Sequence, residues 1–328
     1  MILLHSIVSV LLCLLARQGG FCDDSLEVMF WNLENFFDYR DGGYSESDAE
    51  FSSFGGRHWS KKKFEAKCNA VAKTILWVAD RDGRLPPVVA VAEVENRYVL
   101  WCLLNKTALR KTDYAIVHYD SPDPRGIDVA LLYRTSILDT IATRAVRVKA
   151  PPNKELRTRD ILLARFRTKD SLSFSVLVNH HPSKYGGGDT DWKRRVAVET
   201  LRTVCDSLKA IGEGRIIATG DFNDGAENAV LAEIASESED DNKPLINLAI
   251  PLAKKGLGTI RFDGKWELID MFLVSPSLKN SRMEILNIPF LTDRDAAHSG
   301  DKPLRTYTGP RYKGGVSDHL PILLHLPY

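Results

Sequence analysis

The chain has 328 residues, 44% hydrophobic and 27% charged, a composition that sets disorder aside and suits one large domain or two smaller ones. Lys and Arg number 44 against 43 Asp and Glu, so the formal net charge is +1. That balance excludes a global pull toward nucleic acid or an anionic membrane, and any affinity for a polyanion has to be local.

Residues Met1 to Ala16 form an almost unbroken apolar run, MILLHSIVSVLLCLLA, followed by Arg17-Gln18-Gly19-Gly20. The run is shorter than the ~20 residues of a membrane span and suits the core of a signal peptide, so residues 1–22 are expected to be a leader and the protein periplasmic or secreted. It has no Lys or Arg at its start and no A-x-A site, which keeps a buried N-terminal strand or an anchor as the alternative. Cys22 invites lipid attachment, but bulky Phe21 stands where a small residue is usual.

From there, strand-like runs recur: Leu26–Trp31, Val88–Val94, Tyr114–Tyr119, Asp128–Tyr133, Ile161–Phe166, Leu172–Asn179, Arg215–Thr219, Leu268–Val274 and Pro321–Leu326. Several are continuously apolar, as expected of strands buried on both faces. Helical periodicity is clearest in Lys61–Ala79, with Phe64, Cys68, Val71, Ala72, Ile75 and Val78 on one stripe, and in Trp192–Ile211. Shorter helices are expected at Tyr98–Leu109 and Ala226–Ile234, the latter capped by Asp224. Interleaved strands and helices, with strands in the majority, point to an α/β or α+β fold. No repeat or linker marks a boundary, so residues 23–328 read as a single domain.

Three loops are candidate rims of a site: Phe37–Ser60, His180–Asp191 with Gly186-Gly187-Gly188, and Thr292–Val316. Beyond Cys13 and Cys22 the cysteines are Cys68, Cys102 and Cys205. Their odd number and the lack of C-x-x-C spacing speak against a disulfide framework or zinc site and for small buried side chains, with a Cys68–Cys102 bridge left open.

The informative residues follow the apolar strands. Leu26–Trp31 runs into Asn32-Leu33-Glu34-Asn35, Val88–Ala92 into Glu93-Val94-Glu95-Asn96, and Arg215–Thr219 into Gly220-Asp221-Phe222-Asn223-Asp224. Each alone reads equally as a cap or turn, but their recurrence places hard oxygen donors repeatedly at strand ends. Asp270 lies inside an apolar strand, where a charge requires a partner, and His319 of Ser317-Asp318-His319 opens the last strand. An Asp accepting from one ring nitrogen fixes the tautomer and raises the basicity of the other. Among so many oxygen donors, His180 reads as a donor to phosphate oxygen, with a structural histidine or a metal ligand as alternatives, and Mg²⁺, Mn²⁺ or Ca²⁺ is favoured over Zn²⁺.

In order, FWNLEN (30–35), VAEVEN (91–96), GIDVALLYR (126–134), VNHHPSK (178–184), TGDFND (219–224), ELIDMFLVS (267–275) and SDHLP (317–321) resemble the endonuclease/exonuclease/phosphatase superfamily, which includes deoxyribonuclease I and exonuclease III. The resemblance extends over nearly all of the chain from residue 25 and looks like that of an exported bacterial-type member. It implies a four-layer sandwich of two mixed β-sheets packed face to face with helices outside, and a site at one edge of the pair. It further implies Glu93 as the principal metal ligand, with Glu34, Asn32 and Asp318 on the metal side. Asp221 would orient or deprotonate the attacking water, Asn223 and His180 would hold phosphate oxygens, and Asp270 would pair with His319. Two departures are Glu34, where many relatives have Asp, and Ala92, where Gln is commoner.

The activity so implied is Mg²⁺-dependent hydrolysis of a phosphoric ester by in-line attack of water, with Mn²⁺ or Ca²⁺ as other candidate ions. A nucleic-acid phosphodiester is the first expected substrate, with phosphate contacts and stacking from Lys184, Arg195 and Tyr307 among other basic and aromatic residues. Inositol phosphates, phospholipid head groups or nucleotides are the second, and a catalytically silent binding protein the third. No protein partner is implied, and a monomer is expected.

Overall fold

The computed structural model describes residues 25–40, 42–43, 45–184 and 190–327. The expected leader with Cys13 and Cys22, and Tyr185 with the Gly186–Gly188 run, lie outside the described residues.

After strand β1 (Ser25–Phe36), the chain forms a short helix α1 (Glu46–Glu50) and the long helix α2 (Lys61–Asp82). Next come β2 (Val88–Val94), helix α3 (Arg97–Lys106), β3 (Tyr114–His118) and β4 (Asp128–Arg134). The chain then crosses to a second sheet with β5 (Leu138–Val146), β6 (Ile161–Thr168), β7 (Ser173–His180), helix α4 (Asp191–Ala210) and β8 (Ile216–Asp221). Short strands β9 (Ala235–Ser236) and β10 (Leu245–Asn247), helix α5 (Ile250–Ala253) and a hairpin, β11 (Ile260–Phe262) with β12 (Lys265–Glu267), precede β13 (Asp270–Val274). β14 (Arg282–Ile285) returns to the first sheet. Two small hairpins follow, β15 (Thr292–Arg294) with β16 (Asp301–Pro303) and β17 (Tyr307–Thr308) with β18 (Arg311–Tyr312), before the final strand β19 (Ile322–Pro327).

The first sheet has the order β14-β19-β1-β2-β4-β3 and the second β5-β6-β7-β8-β13-β10-β9. Both are mixed: β1 and β2 pair in parallel, as do β7 and β8, while β19 and β13 run antiparallel beside them. The alternation along β1 shows why its sequence is continuously apolar. Leu26, Val28 and Phe30 enter the core shared with the second sheet, whereas Met29, Trp31 and Leu33 meet Phe64, Cys68, Val71 and Ile75 of α2. A strand covered on both faces has no polar side to show. Helix α4 buries Ala197, Val198, Leu201, Val204, Cys205 and Leu208 in the core of the second sheet. The result is the expected four-layer sandwich, helices outside two packed sheets. No helix among the described residues is long and apolar enough to cross a membrane.

Two expectations change. Ala226–Ile234 is not a helix but a run of turns ending in one 3₁₀ turn, Leu231–Glu233. Asn228 there accepts from Val230 N and donates to Asp224, the kind of side-chain bonding that competes with helical pairing. Asp224 therefore caps no helix; it is buried and bound by Arg194 and Lys184. The three cysteines are buried free thiols, with no Cys68–Cys102 bridge.

Candidate active site

Strand direction gathers the polar residues. β1, β2, β7 and β8 all end at one edge of the sandwich, and the antiparallel β13 and β19 begin there. Asn32 and Glu34 near the end of β1, Glu93 of β2, His180 of β7, Asp221 of β8, Asp270 of β13 and His319 before β19 therefore share that edge. Backbone register makes part of this explicit, since Asp221 lies opposite both Asp270 and His180.

The edge is irregular where it carries these residues. Pairing of β1 with β2 slips between Asn32 and Phe36, that of β2 with β4 slips between Ala92 and Val94, and Glu34, Asn35, Glu93 and Asn223 have left-handed φ of 45°, 54°, 61° and 51°. Bulges of this kind re-aim side chains, and strain concentrated on non-glycine residues is characteristic of sites held in place by their surroundings. Gly220 allows β8 to approach β7: a Cβ there would lie 2.1 Å from the Asn179 carbonyl oxygen.

The side chains form a continuous chain. Glu93 Oε1 is 3.9 Å from His180 Nε2, which is 3.7 Å from Asp221 Oδ2. That oxygen is 3.8 Å from His319 Nε2 and accepts from Asn32 Nδ2 at 3.0 Å, while Asp221 Oδ1 accepts from Asn223 N at 2.9 Å. His319 Nδ1 is 2.7 Å from Asp270 Oδ2, and Asp318 Oδ1 lies 3.8 Å from His319 Nε2. The loop bearing His319 is pinned from below. Trp31 Nε1 donates to the His319 carbonyl at 2.8 Å, Ser317 Oγ to the Asn32 carbonyl at 2.6 Å, and His319 N to Ser317 Oγ at 3.0 Å.

Burial and charge set the protonation states. Burial drives the Asp221 carboxyl up to about 7, with Asp270 adding and His319 opposing. At His319 burial works against the charge, yet Asp270, helped by Asp318 and Asp221, holds the imidazole well above its ordinary value. His180 goes the other way: burial, then Arg159 and Arg125, press it well below. Its Nδ1 has no hydrogen-bond partner, so a neutral ring with its proton on Nε2 would face the two carboxylates. At Glu93 burial opposes the charge, but Arg125, the Asn35 N–H, His319 and Arg159 outweigh it and keep the carboxyl below its usual range. One acid held low, one held high, a neutral histidine and a protonated one within a few ångströms is the separation of states that acid–base chemistry needs.

Asp221, Asp270 and His319 present ligand atoms all within 4.8 Å of one another. The short Asp270–His319 bond and the protonated ring explain that proximity without an ion. A hard cation would be held on the Glu93 side, with Asn32, whose Oδ1 also accepts from Glu34 N at 2.9 Å, and Asp318, whose Oδ2 pairs with Arg305 Nη2 at 2.8 Å and whose other oxygen stays available. Glu34 is engaged otherwise. Its oxygens accept from Arg305 Nε at 2.9 Å and Thr306 N at 2.8 Å, and burial, then Asp318, raises its carboxyl to about 7.

Of the residues expected to contact substrate, Lys184 pairs with Asp224 at 2.6 Å and Arg195 with Glu233. Tyr307 is buried against Phe51, Trp59 and Tyr312, its hydroxyl donating to the Arg57 carbonyl, so no ring face is left for stacking; this corrects the expectation. Asn223 keeps its place at the site but donates one amide hydrogen to the His181 carbonyl at 2.9 Å.

Sequence reasoning missed three cations. Arg159 is buried, donating to the His180 and His181 carbonyls and to Asp123, so it fixes the backbone beneath His180. Lys67 is buried on the apolar face of α2, donating to the Glu34 carbonyl at 2.5 Å and Thr306 Oγ1 at 2.9 Å. A lysine next to the Phe64–Cys68–Val71 stripe was the available signal. Arg125 lies over Glu93 and Asn35.

Among solved structures, the fold is similar to an endonuclease/exonuclease/phosphatase family protein from Bacteroides thetaiotaomicron (19% identity, TM-score 0.57, covering 92% of this chain and 97% of that one). The human nocturnin catalytic domain with bound sulfate matches at 16% identity and TM-score 0.57 over 92% of this chain and 93% of that one. A mannosyl-6-phosphatase from Bacteroides thetaiotaomicron matches at 17% and 0.56, over 92% of this chain and all of that one (100%). No curated protein matches. A family model described as Endonuclease/Exonuclease/phosphatase family matches residues 27–327, and the chain belongs to that family, whose members hydrolyse phosphoester bonds.

Proposed function

We propose that this chain is a divalent-cation-dependent phosphoesterase that cleaves a small phosphorylated substrate by in-line attack of water. The observation that carries the reading is the unbroken Glu93–His180–Asp221–His319–Asp270 chain of contacts at one sheet edge. A cation held by Glu93, with Asn32 and Asp318, would supply neutralisation of phosphoryl charge. Asp221, oriented by Asn32 Nδ2 and Asn223 N, would align the attacking water and accept its proton. His180 would donate from Nε2 to a phosphoryl oxygen. The protonated His319, steadied by Asp270, would hold the charge that develops as the phosphorus–oxygen bond breaks.

The small-substrate reading replaces nucleic acid as the first choice on one ground. Tyr307 is buried and offers no stacking face, and Lys184 and Arg195, though about half exposed, are paired with protein carboxylates that a polynucleotide would have to displace, which weakens the three contacts selected for it. The leader expected at residues 1–22 makes an exported site of action part of the proposal. The test compares phosphate release from inositol phosphates and sugar phosphates with nicking of supercoiled plasmid, each in Mg²⁺ and in EDTA. Release of phosphate in Mg²⁺ alone supports the reading; nicking without phosphate release returns nucleic acid to first place. Activity undiminished by EDTA removes the cation from the mechanism.

A further inference from the structure

Arg125 is placed with unusual care for a half-exposed side chain. Its N–H donates to Asp123 Oδ1 at 3.0 Å and its carbonyl accepts from Ser45 Oγ at 2.8 Å. Gly126, next in the chain, has φ of +68°, and a Cβ there would come within 2.8 Å of Ser45 Oγ. Asp123 is itself held by Arg159. The backbone is thus fixed, and the freedom that remains belongs to the side chain.

That side chain reaches both Glu93 oxygens without gripping them. Nη1 is 3.4 Å from Oε1 and Nη2 is 3.3 Å from Oε2, against ~2.8 Å for a close charge-assisted bond. Its one close contact, 2.7 Å, is to the neutral Asn35 Oδ1. The Arg125 side chain is 41% exposed and Glu93 only 11%. Arg159, another guanidinium near Glu93, is buried and committed to two carbonyls and Asp123, and Arg305 is paired with Glu34 and Asp318.

We infer that Arg125 is a displaceable internal counter-ion for Glu93, which competes with the divalent cation and swings to the anionic substrate when the cation takes its place. The inference rests on the reading of Glu93 as the cation's carboxylate. A guanidinium and a divalent cation address the same two oxygens and repel each other, so cation alone binds against Arg125. A phosphate arriving with the cation offers the guanidinium a better partner, with matched fork geometry. Cation and anion then strengthen each other's binding, and by linkage the effect is reciprocal. The device would keep the buried carboxylate compensated between turnovers.

The experiment is calorimetric titration of the full chain with Mg²⁺, alone and in inorganic phosphate, for wild type, Arg125→Gln, Arg125→Lys and Glu93→Gln, with melting curves as the check on folding. Without phosphate, Arg125→Gln is expected to bind Mg²⁺ about fivefold more tightly than wild type, the size of one partly exposed charge contact. The gain in Mg²⁺ affinity brought by phosphate should shrink in the same variant, and Arg125→Lys should fall between. Unchanged or weaker Mg²⁺ binding by Arg125→Gln, with binding abolished in Glu93→Gln, overturns the counter-ion while leaving the site intact. Wild-type Mg²⁺ binding by Glu93→Gln overturns the reading of the site itself.

Discussion

Replacing Asp270 by Asn isolates the short buried contact that keeps His319 charged. Asp270 is 1% exposed and its Oδ2 lies 2.7 Å from His319 Nδ1. Opposite unit charges at that distance attract by about 6 kcal/mol at an effective dielectric constant of about 20. Desolvation offsets much of this for stability, but the contact still far exceeds the ~1.4 kcal/mol that moves an equilibrium tenfold. Asn keeps the shape and can accept from Nδ1–H, so the fold should survive with a neutral ring. Without the carboxylate, His319 falls back toward its ordinary value and loses its proton near neutrality. Expected in steady-state kinetics on a phosphoester are a kcat lower by at least ~10²-fold, the range for one acid–base or electrostatic group, and a smaller change in KM. The alkaline limb of the pH profile should also move to lower pH, because the charged ring is lost sooner. A folded Asp270→Asn protein with near-wild-type kcat and an unmoved alkaline limb would refute the assignment of the protonated His319.

Glu93→Gln should lower kcat by at least ~10²-fold, with added Mg²⁺ unable to restore it, measured as phosphate release across a cation titration. Lys67→Met should cost about 1–3 kcal/mol in urea unfolding, because the Glu34 carbonyl and Thr306 hydroxyl lose a buried donor; an unchanged midpoint would contradict that role. His325 lies between two carboxylates, Nδ1 3.5 Å from Glu27 and Nε2 3.2 Å from Glu284, and the Glu27 bond leads the causes that raise its value above the ordinary 6.5, against burial. Its contribution to stability is therefore complete below the unfolded value and fades as pH rises through the higher folded one. The melting-temperature gap between wild type and His325→Gln should accordingly be wider near pH ~6 than near pH ~9.

Strands buried on both faces were legible because continuous apolar runs bounded by polar residues have few other readings, as β1, β2, β7 and β8 show. Strands that are exposed along their length or only a few residues long were not. β5 exposes Asp139, Thr140, Ile141 and Ala142 in succession and carries no alternation to read, and β9, β10 and β14 are too short to show a period. The Asp224 turn misled for a related reason. Its acid, glycine and asparagine look like a cap, and only Arg194 and Lys184, distant in sequence, show that the carboxylate is an ion-pair partner.

The sequence alone established the layered α/β class, the family and the set of acids, amides and histidines at strand ends, because local periodicity and the order of motifs are properties of the linear chain. Tertiary structure decided what those groups are. Whether His180 is neutral and His319 charged, whether Glu34 is spent on Arg305, and whether Lys184 is already paired depend on burial and on partners up to nearly three hundred residues away. Ionisation responds to the field and solvation at a point in space, and chain position encodes neither until the sheets have packed.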